Sequence, residues 1–412
     1  MTQPSDPKPN DNPLTITGAG YFPVDIISRQ AEGQALLDTV PQVRAGGTCG
    51  NVLAACAALG DRAYAVGRLD AEDPAAPRLV EDLNHWGVDT GQLHLRPAYP
   101  VPLVFQLNDI DAAGRPRHRF RALCPRCEQR LPGHRDVTKP QAAAAAVQLP
   151  GCDVLFLDRA SPAALDMARD ATAAGALVAF EPFSAPSPRA QVSVRQNFSD
   201  VLAAAHVVKY SSERPKGFAM ADDYPREPLL QIQTLGAHGL RLRRRGGPWR
   251  ELSPQPVLAV VDAAGAGDWT TAVFLHLAAR GGPAGLDAMS DSELEQALTV
   301  AQAAAGWACG FTGARGGMYQ TAASLADHLR AVTGADQGLD LPPPPALSDH
   351  RSLEQVMVEH CPHCREAREA EAAWQRPADA SKTWRVVGRP GYVGKKVRRA
   401  GEELDAEHGP GN

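Results

Sequence analysis

From residue 14 to residue 329, short apolar runs rich in β-branched and aromatic residues alternate with alanine-rich stretches of helical periodicity. Short strands without polar alternation must be buried on both faces, and the intervening helices are what bury them. The pattern is the signature of an α/β fold and permits a three-layer α/β/α sandwich around a mostly parallel sheet. Residues 14–27 read as strand, turn, strand; residues 49–59 as a helix following a glycine pair; residues 63–66 as a further strand. Several strand-like pieces at about 90–120, turning on residues 111–114, interrupt the rhythm and predict a small β lid beside the main sheet. The alternation resumes with strands at 153–157, 177–181, 207–210, 229–234 and 258–261 and long helices at 268–280 and 291–309.

Four consecutive prolines within residues 341–345 fit neither a packed helix nor a central strand, and they mark a boundary. The expected organisation is a disordered tail at 1–12, one domain at 13–335 with an insertion at about 121–140, a Pro-rich linker at 336–350 and a C-terminal extension at 351–412. Lys and Arg number 42 against 47 Asp and Glu, a net charge of −5, which argues against binding nucleic acid or anionic membrane through bulk charge. The Arg-rich run at 241–245 and the basic cluster at 395–399 read as solvated faces. No uninterrupted apolar stretch is long enough to span a membrane, and the polar, Pro-rich start does not read as a signal peptide, so a cytoplasmic location is expected.

The richest chemistry lies in residues 260–272, VVDAAGAGDWTTA: an apolar run, a loop of small residues, then a helix. Only small residues let backbone N–H groups approach an anion, and the start of a helix adds unpaired donors and the positive end of its dipole. Gly265, Ala266 and Gly267 thus form a candidate anion hole. A carboxylate at its mouth, Asp268, suits a base that takes a proton from an attacking hydroxyl, although Asp at a helix start is also an ordinary N-cap.

Residues 262–268 (DAAGAGD) resemble the D-T-x-G-A-G-D signature of the ribokinase-like (PfkB) family of carbohydrate and nucleoside kinases. Further segments resemble that family in order: GYFPVD at 20–25, AGGTCGNVLAACAALG at 45–60, VGRLD at 66–70, VVKYSSE at 207–213, TLGAHG at 234–239 and the helix and G-A turn at 301–314. The resemblance implies a three-layer α/β/α sandwich with a small β lid at about 90–120 over a substrate cleft, and in-line phosphoryl transfer from ATP, with magnesium and a monovalent cation, to a hydroxyl of a sugar, nucleoside or related polyol. It implies Asp268 as general base, and Asp25, Gly46, Gly47 and Asn51 as substrate-binding residues. Lys209, Ser211, Glu213, Thr234, Gly236, Gly239 and Gln302 fall in the nucleotide-binding segments, and pairing of two copies through the lid is also implied. The signature Thr is Ala263, the asparagine of the family's N-x-x-E is Ser211 and its glutamate is Arg214. These departures leave a second reading, a degenerate kinase fold serving as a nucleotide or sugar sensor or scaffold. Lys209 reads equally as a strand-end lysine reaching outward to solvent, and His238 as a loop side chain.

Four of the eight cysteines form two C-P-x-C pairs, Cys124 with Cys127 and Cys361 with Cys364. One such turn presents two thiolates on one side of a knuckle, and two knuckles complete a tetrahedral zinc site. Both pairs lie in additions to the core, so a shared zinc would pin the tail to the lid insertion. Separate sites using His134, or His360 and His363, and reduced or redox-active thiols are the alternatives. Cys49, Cys56, Cys152 and Cys309 lie in apolar or glycine-rich surroundings and read as packing residues.

Overall fold

The computed structural model describes residues 13–95, 99–111, 114–183, 185–187, 189–212, 227–257, 259–320, 324–339, 341–344 and 350–375. The tail at 1–12, Glu213, Arg214 and the basic cluster at 395–399 lie outside the described residues.

In chain order the elements are β1 (Thr15–Ala19), β2 (Val24–Arg29), β3 (Gln42–Ala45), α1 (Thr48–Ala58), β4 (Arg62–Leu69), α2 (Ala76–His85), β5 (Val88–Leu95), β6 (Leu103–Ile110), β7 (Pro116–Arg121), α3 (Lys139–Gln148), β8 (Val154–Leu157), α4 (Pro162–Ala173), β9 (Leu177–Phe180), α5 (Val192–Ala204), β10 (Val207–Ser211), β11 (Leu230–Thr234), β12 (Leu240–Arg244) and β13 (Arg250–Leu252). Among the described residues six helices follow: α6 (Ala266–Ala278), α7 (Gly282–Ala288), α8 (Asp291–Ala308), α9 (Leu325–Thr333), α10 (Leu353–His360) and α11 (Pro362–Gln375). The main sheet has nine strands in the order β13-β12-β11-β10-β9-β8-β1-β4-β5, parallel from β11 to β5, with β12 and β13 added antiparallel at one edge. Helices α1, α2, α6, α8 and α9 pack on one face around Trp86, Trp269 and Phe274, and α3, α4 and α5 on the other around Leu157 and Phe180. This is the three-layer sandwich that the family resemblance implies and the alternation permits.

Local chemistry sets several helix starts. Ser161 caps α4 by accepting from the Ala164 N–H, with Pro162 in the first turn. Ser290 and Glu293 form a reciprocal capping box on α8. The alanines of α8 let it lie close along α6, which is buried nearly all round.

Three expectations need correction. The lid is not confined to about 90–120: β5 pairs with β4 in the main sheet, whereas the second sheet is β3-β2-β6-β7. Parallel pairing of β2 with β6, Val24 opposite Leu103 through Arg29 opposite Asn108, recruits the early strands into the lid. The expected strand at 258–261 does not form over its described residues; the Val261 and Asp262 N–H groups both donate to the Cys309 carbonyl (2.8 and 3.1 Å) instead of to a ladder partner. Nor does the packed core end at residue 335. Leu353, Val356 and Met357 of α10 join the main core, and the Leu353 N–H donates to the Thr39 carbonyl at 2.7 Å.

Candidate active site

Strand β1 lies between β8 and β4, with β4 and β5 added outward on one side and β8, β9 and β10 outward on the other, so the carboxyl ends of β1 and β8 border the switch point where open α/β sheets bind ligands. The candidate residues gather around the loops at this end. The turn at 46–47 leads directly into α1. Gly47 has φ 78° and ψ 152°, and a Cβ there would overlap the Tyr21 carbonyl, so only glycine fits. A Cβ at Gly46 would overlap the Asp25 carboxylate, which fixes how closely β2 and this turn approach.

Gly265 opens α6 in the left-handed region (φ 80°), and a Cβ on it would overlap Ala314, so the anion loop seats against the turn at 313–314. The Trp269 indole N–H donates to the Ala314 carbonyl at 2.9 Å and pins that seat. Ala266, Gly267 and Asp268 occupy the first turn of α6, where backbone N–H groups have no intrahelical acceptor. Gly265 is the N-cap, so the ordinary capping role considered for Asp268 is not the one it takes. Asp268 is buried, and its Oδ2 accepts from Asn51 Nδ2 at 2.7 Å. Two motifs 217 residues apart in sequence thereby meet.

Behind Asn51 lies a buried charge network that sequence reasoning missed. Arg315 Nε donates to Asn51 Oδ1 at 3.1 Å, and Nη2 donates to the Ala45 carbonyl and to Asp82 Oδ2 at 3.0 Å. Asp82 also accepts from the Ala45 N–H and the Tyr319 hydroxyl. Both ends of the Arg315–Asp82 pair are almost fully buried, at 2% and 1% side-chain exposure, so each charge depends on the other. Arg315 occupies the amide oxygen of Asn51, and the amide nitrogen is thereby turned toward Asp268. Asp25 lies in the field of this group: burial raises its pKa to about 7, with Asp268 and Asp82 adding repulsion and Arg315 opposing it.

Asp158, also unpredicted, follows β8 and accepts from the Tyr21 and Cys49 N–H groups at 3.0 and 3.1 Å. It thus caps the first turn of α1 and fixes the turn at 46–47 against β1. The signal available in sequence was only an acid after an apolar run, which fits any strand end.

Asp262, the first residue of the signature, ties the loop to the lid. Its carboxylate accepts from Gln106 and Asn108 of β6 at 2.7 and 2.8 Å and lies 3.1 Å from His118 Nδ1 of β7. It also accepts from the Ala264 and Gly313 N–H groups at 2.9 and 2.8 Å. Burial alone would raise its pKa; the hydrogen bonds from His118, Ala264, Asn108 and Gly313 outweigh burial and hold it below the usual range. One carboxylate thus joins the start of the anion loop to strands β6 and β7 of the second sheet.

Among the residues expected in the nucleotide-binding segments, Lys209 neither reaches solvent nor stands at a surface. Its Nζ is 2.5 Å from Glu181 Oε1 in a buried pair, and Glu181 Oε2 accepts from Thr271 of α6. The ammonium lies beneath Gly267, at the back of the anion loop. Ser211 ends β10, beside Thr234 at the end of β11. Gly236 and Gly239 bound the short turn after β11, with His238 exposed between them. Gly239 approaches Leu252 and Ser253, and Gln302 Nε2 donates to the Ser253 carbonyl at 3.4 Å, so these two residues flank the same segment. The four cysteines of the two C-P-x-C pairs also converge, in one cluster and not at two separate histidine-containing sites.

No protein-family model matches the chain, and no curated protein does. Solved structures do. A fructokinase from Xylella fastidiosa with bound ATP is 19% identical, with a TM-score of 0.57 over 73% of this chain and 93% of its own. A putative ribokinase from Agrobacterium tumefaciens is 19% identical, with a TM-score of 0.52 over 74% and 94%. An aminoimidazole riboside kinase from Salmonella enterica, in complex with aminoimidazole riboside and an ATP analogue, is 18% identical, with a TM-score of 0.51 over 73% and 95%. Nearly the whole length of each is matched by about three quarters of this chain, and the chain therefore has the fold of the ribokinase-like sugar kinases.

Proposed function

We propose that the protein is an ATP-dependent kinase that phosphorylates a hydroxyl of a sugar, nucleoside or related polyol. The observation that carries this reading is the buried carboxylate of Asp268, held by Asn51 at the mouth of a glycine loop on a helix N-terminus. ATP and riboside ligands bound to neighbours of the same fold support it.

The substrate lies between Asp25, the turn at 46–47, Asn51 and the lid strands β2 and β6. Asp268 takes the proton of the attacking hydroxyl, whose oxygen forms a bond to the γ-phosphorus. The bond from that phosphorus to the β–γ bridging oxygen breaks, and ADP leaves with the electron pair. The Gly265 and Gly267 region of the loop stabilises the transferring oxygens through first-turn amides, reinforced by the dipole of α6. Lys209 stiffens the loop from behind through its pair with Glu181, so its role is positioning. Magnesium arriving with the nucleotide would supply charge neutralisation of the phosphates. Closure through Asp262 excludes water from the reacting atoms.

The test is magnesium-dependent ATP consumption across pentoses, hexoses, sugar phosphates and nucleosides. One substrate that raises ATP turnover well above the rate without substrate establishes the activity. Binding of a nucleotide or sugar with no turnover anywhere in the panel favours the sensor reading, which Ala263 and Ser211 motivate.

The raised pKa of Asp25 gives a pH dependence with a fixed sign. Below about 7 its carboxyl is protonated in the folded protein and accepts substrate hydroxyls poorly, so apparent substrate affinity rises between about pH 6 and pH 8. An Asp25→Asn variant should lose that dependence; an unchanged profile in the variant would remove Asp25 from the substrate site. Stability runs the other way. Between the ordinary carboxylate range and about 7 the folded state holds a proton that the unfolded chain releases, so this group's contribution to stability falls as pH rises.

A further inference from the structure

Cys124 and Cys127 stand in a tight turn after β7, where the Cys124 N–H donates to the Gln129 carbonyl, the Glu128 N–H donates to the Cys124 carbonyl, and Leu123 bridges Arg130. Glu128 has φ 59°, a left-handed conformation that closes the turn. Cys361 is the C-cap of α10, where ψ swings to 118°, and Pro362 starts α11 at once, placing Cys364 in the first turn of the new helix. The two pairs therefore come from a knuckle and from a break between helices, 234 to 240 residues apart in sequence.

The four Sγ atoms all lie within 4.8 Å of one another, with Cys124 to Cys364 at 3.7 Å and Cys127 to Cys361 at 3.8 Å. A disulfide needs about 2.05 Å, so neither contact is one. A tetrahedron of thiolates around zinc, with Zn–S of about 2.3 Å, has S···S edges of about 3.8 Å. Cys124, Cys361 and Cys364 are buried and Cys127 is partly buried, so the thiols face each other instead of solvent. Four sulfur donors also leave no open position for water, which is the arrangement of a structural site and not a catalytic one. Arg126 sits between the two cysteines of its knuckle and reaches Glu354 of α10 at 3.3 Å, supplying both a second tie and positive charge beside a thiolate cluster.

We propose that Cys124, Cys127, Cys361 and Cys364 bind one zinc ion, which fastens α10 and α11 to the base of the lid. The fold makes this more than a local staple. Helix α10 touches the lid at two places: the loop between β2 and β3, through the Leu353 N–H to Thr39 bond and the turn at Leu36–Asp38, and the exit of β7, through the cysteines. The Leu103 N–H, at the start of β6, donates to the Pro132 carbonyl just beyond the knuckle, at 3.0 Å. The metal thus holds the return path of the lid to the main domain, and the helices after the proline run act as a brace across the base of the lid. This inference does not depend on the kinase reading, since it uses none of the residues around Asp268.

The test uses the full chain expressed in zinc-supplemented medium. Elemental analysis should find one zinc per chain, and titration of the native protein should find the four thiols unreactive until a chelator is added. Cys361→Ser and Cys124→Ser should each lose the zinc, while Cys152→Ser, outside the cluster, should keep it. If the cluster variants fail to fold, cobalt substitution of wild type decides the matter, with tetrahedral thiolate absorption expected. Chelation should lower the melting temperature on the order of 10 °C and raise hydrogen exchange together in residues 122–131 and in α10. Wild type free of metal with four readily titrated thiols, a mass deficit corresponding to two disulfides, or full zinc content in Cys361→Ser would each overturn the proposal.

Discussion

Asp268→Asn is expected to lower kcat by about 10²- to 10⁴-fold, the range that general-base catalysis contributes. The substitution keeps the size of the side chain and a hydrogen-bonding oxygen for Asn51, so the site stays assembled while the proton acceptor is lost. It also removes one of the negative charges crowded with Asp25 and Asp82, and relief of that repulsion should leave thermal stability unchanged or slightly higher. Nucleotide affinity should stay within about threefold, because the anion loop binds through backbone groups and the transition-state interaction alone is removed. Turnover by the purified variant, measured with its melting curve and ATP affinity, separates the possibilities. Retained turnover in a folded variant would reject Asp268 as the base, and lost nucleotide binding would make its role structural.

Arg315→Ala is expected to cost about 3–5 kcal/mol of stability, because it leaves the buried Asp82 carboxylate without its cation. The Ala45 N–H and Tyr319 hydroxyl would still donate to Asp82, but neither supplies charge. The same variant frees the amide oxygen of Asn51, so the amide can rotate away from Asp268. At temperatures where the variant remains folded, kcat should therefore fall by roughly tenfold, with a smaller change in KM for ATP. Arg315→Lys keeps the charge but cannot reach Asn51, Ala45 and Asp82 from one planar fork, so it should recover part of the stability and little of the activity. Denaturant unfolding and steady-state rates of the two variants check this. A loss below about 1 kcal/mol in Arg315→Ala would mean that the Arg315–Asp82 pair does not hold this site together.

These expectations depend on contacts of very different legibility. Asp268 and the glycines of its loop could be singled out because their chemistry leaves a local trace, small residues before a helix and a carboxylate at its start, whereas Asn51 and the pair at 46–47 were reachable through the family resemblance. Arg315 left no trace, since an arginine after Gly313 and Ala314 reads as a surface residue until β3 and α2 close around it. Lys209 is legible as a charge inside an apolar strand, where it needs a partner, but the acid that neutralises it, Glu181, comes from the end of the neighbouring strand β9, which spacing does not point to. The strand expected at 258–261 failed because apolar content gives the propensity to pair, while a partner edge must exist before a ladder forms.

Periodicity and spacing within a few turns of chain were enough to set the alternation of strands and helices, the glycine loop at the start of α6 and the two cysteine pairs. Only the folded chain shows which strands form the lid, which side chains meet across it at Asp262, and that the two cysteine pairs face each other over more than two hundred residues. Pairing across such distances depends on how sheets twist and helices pack, and composition at either end carries no record of its partner. The extension is the clearest case. Four prolines announced a boundary, yet packing of Leu353, Val356 and Met357 into the common core joins the helices beyond that boundary to the same body.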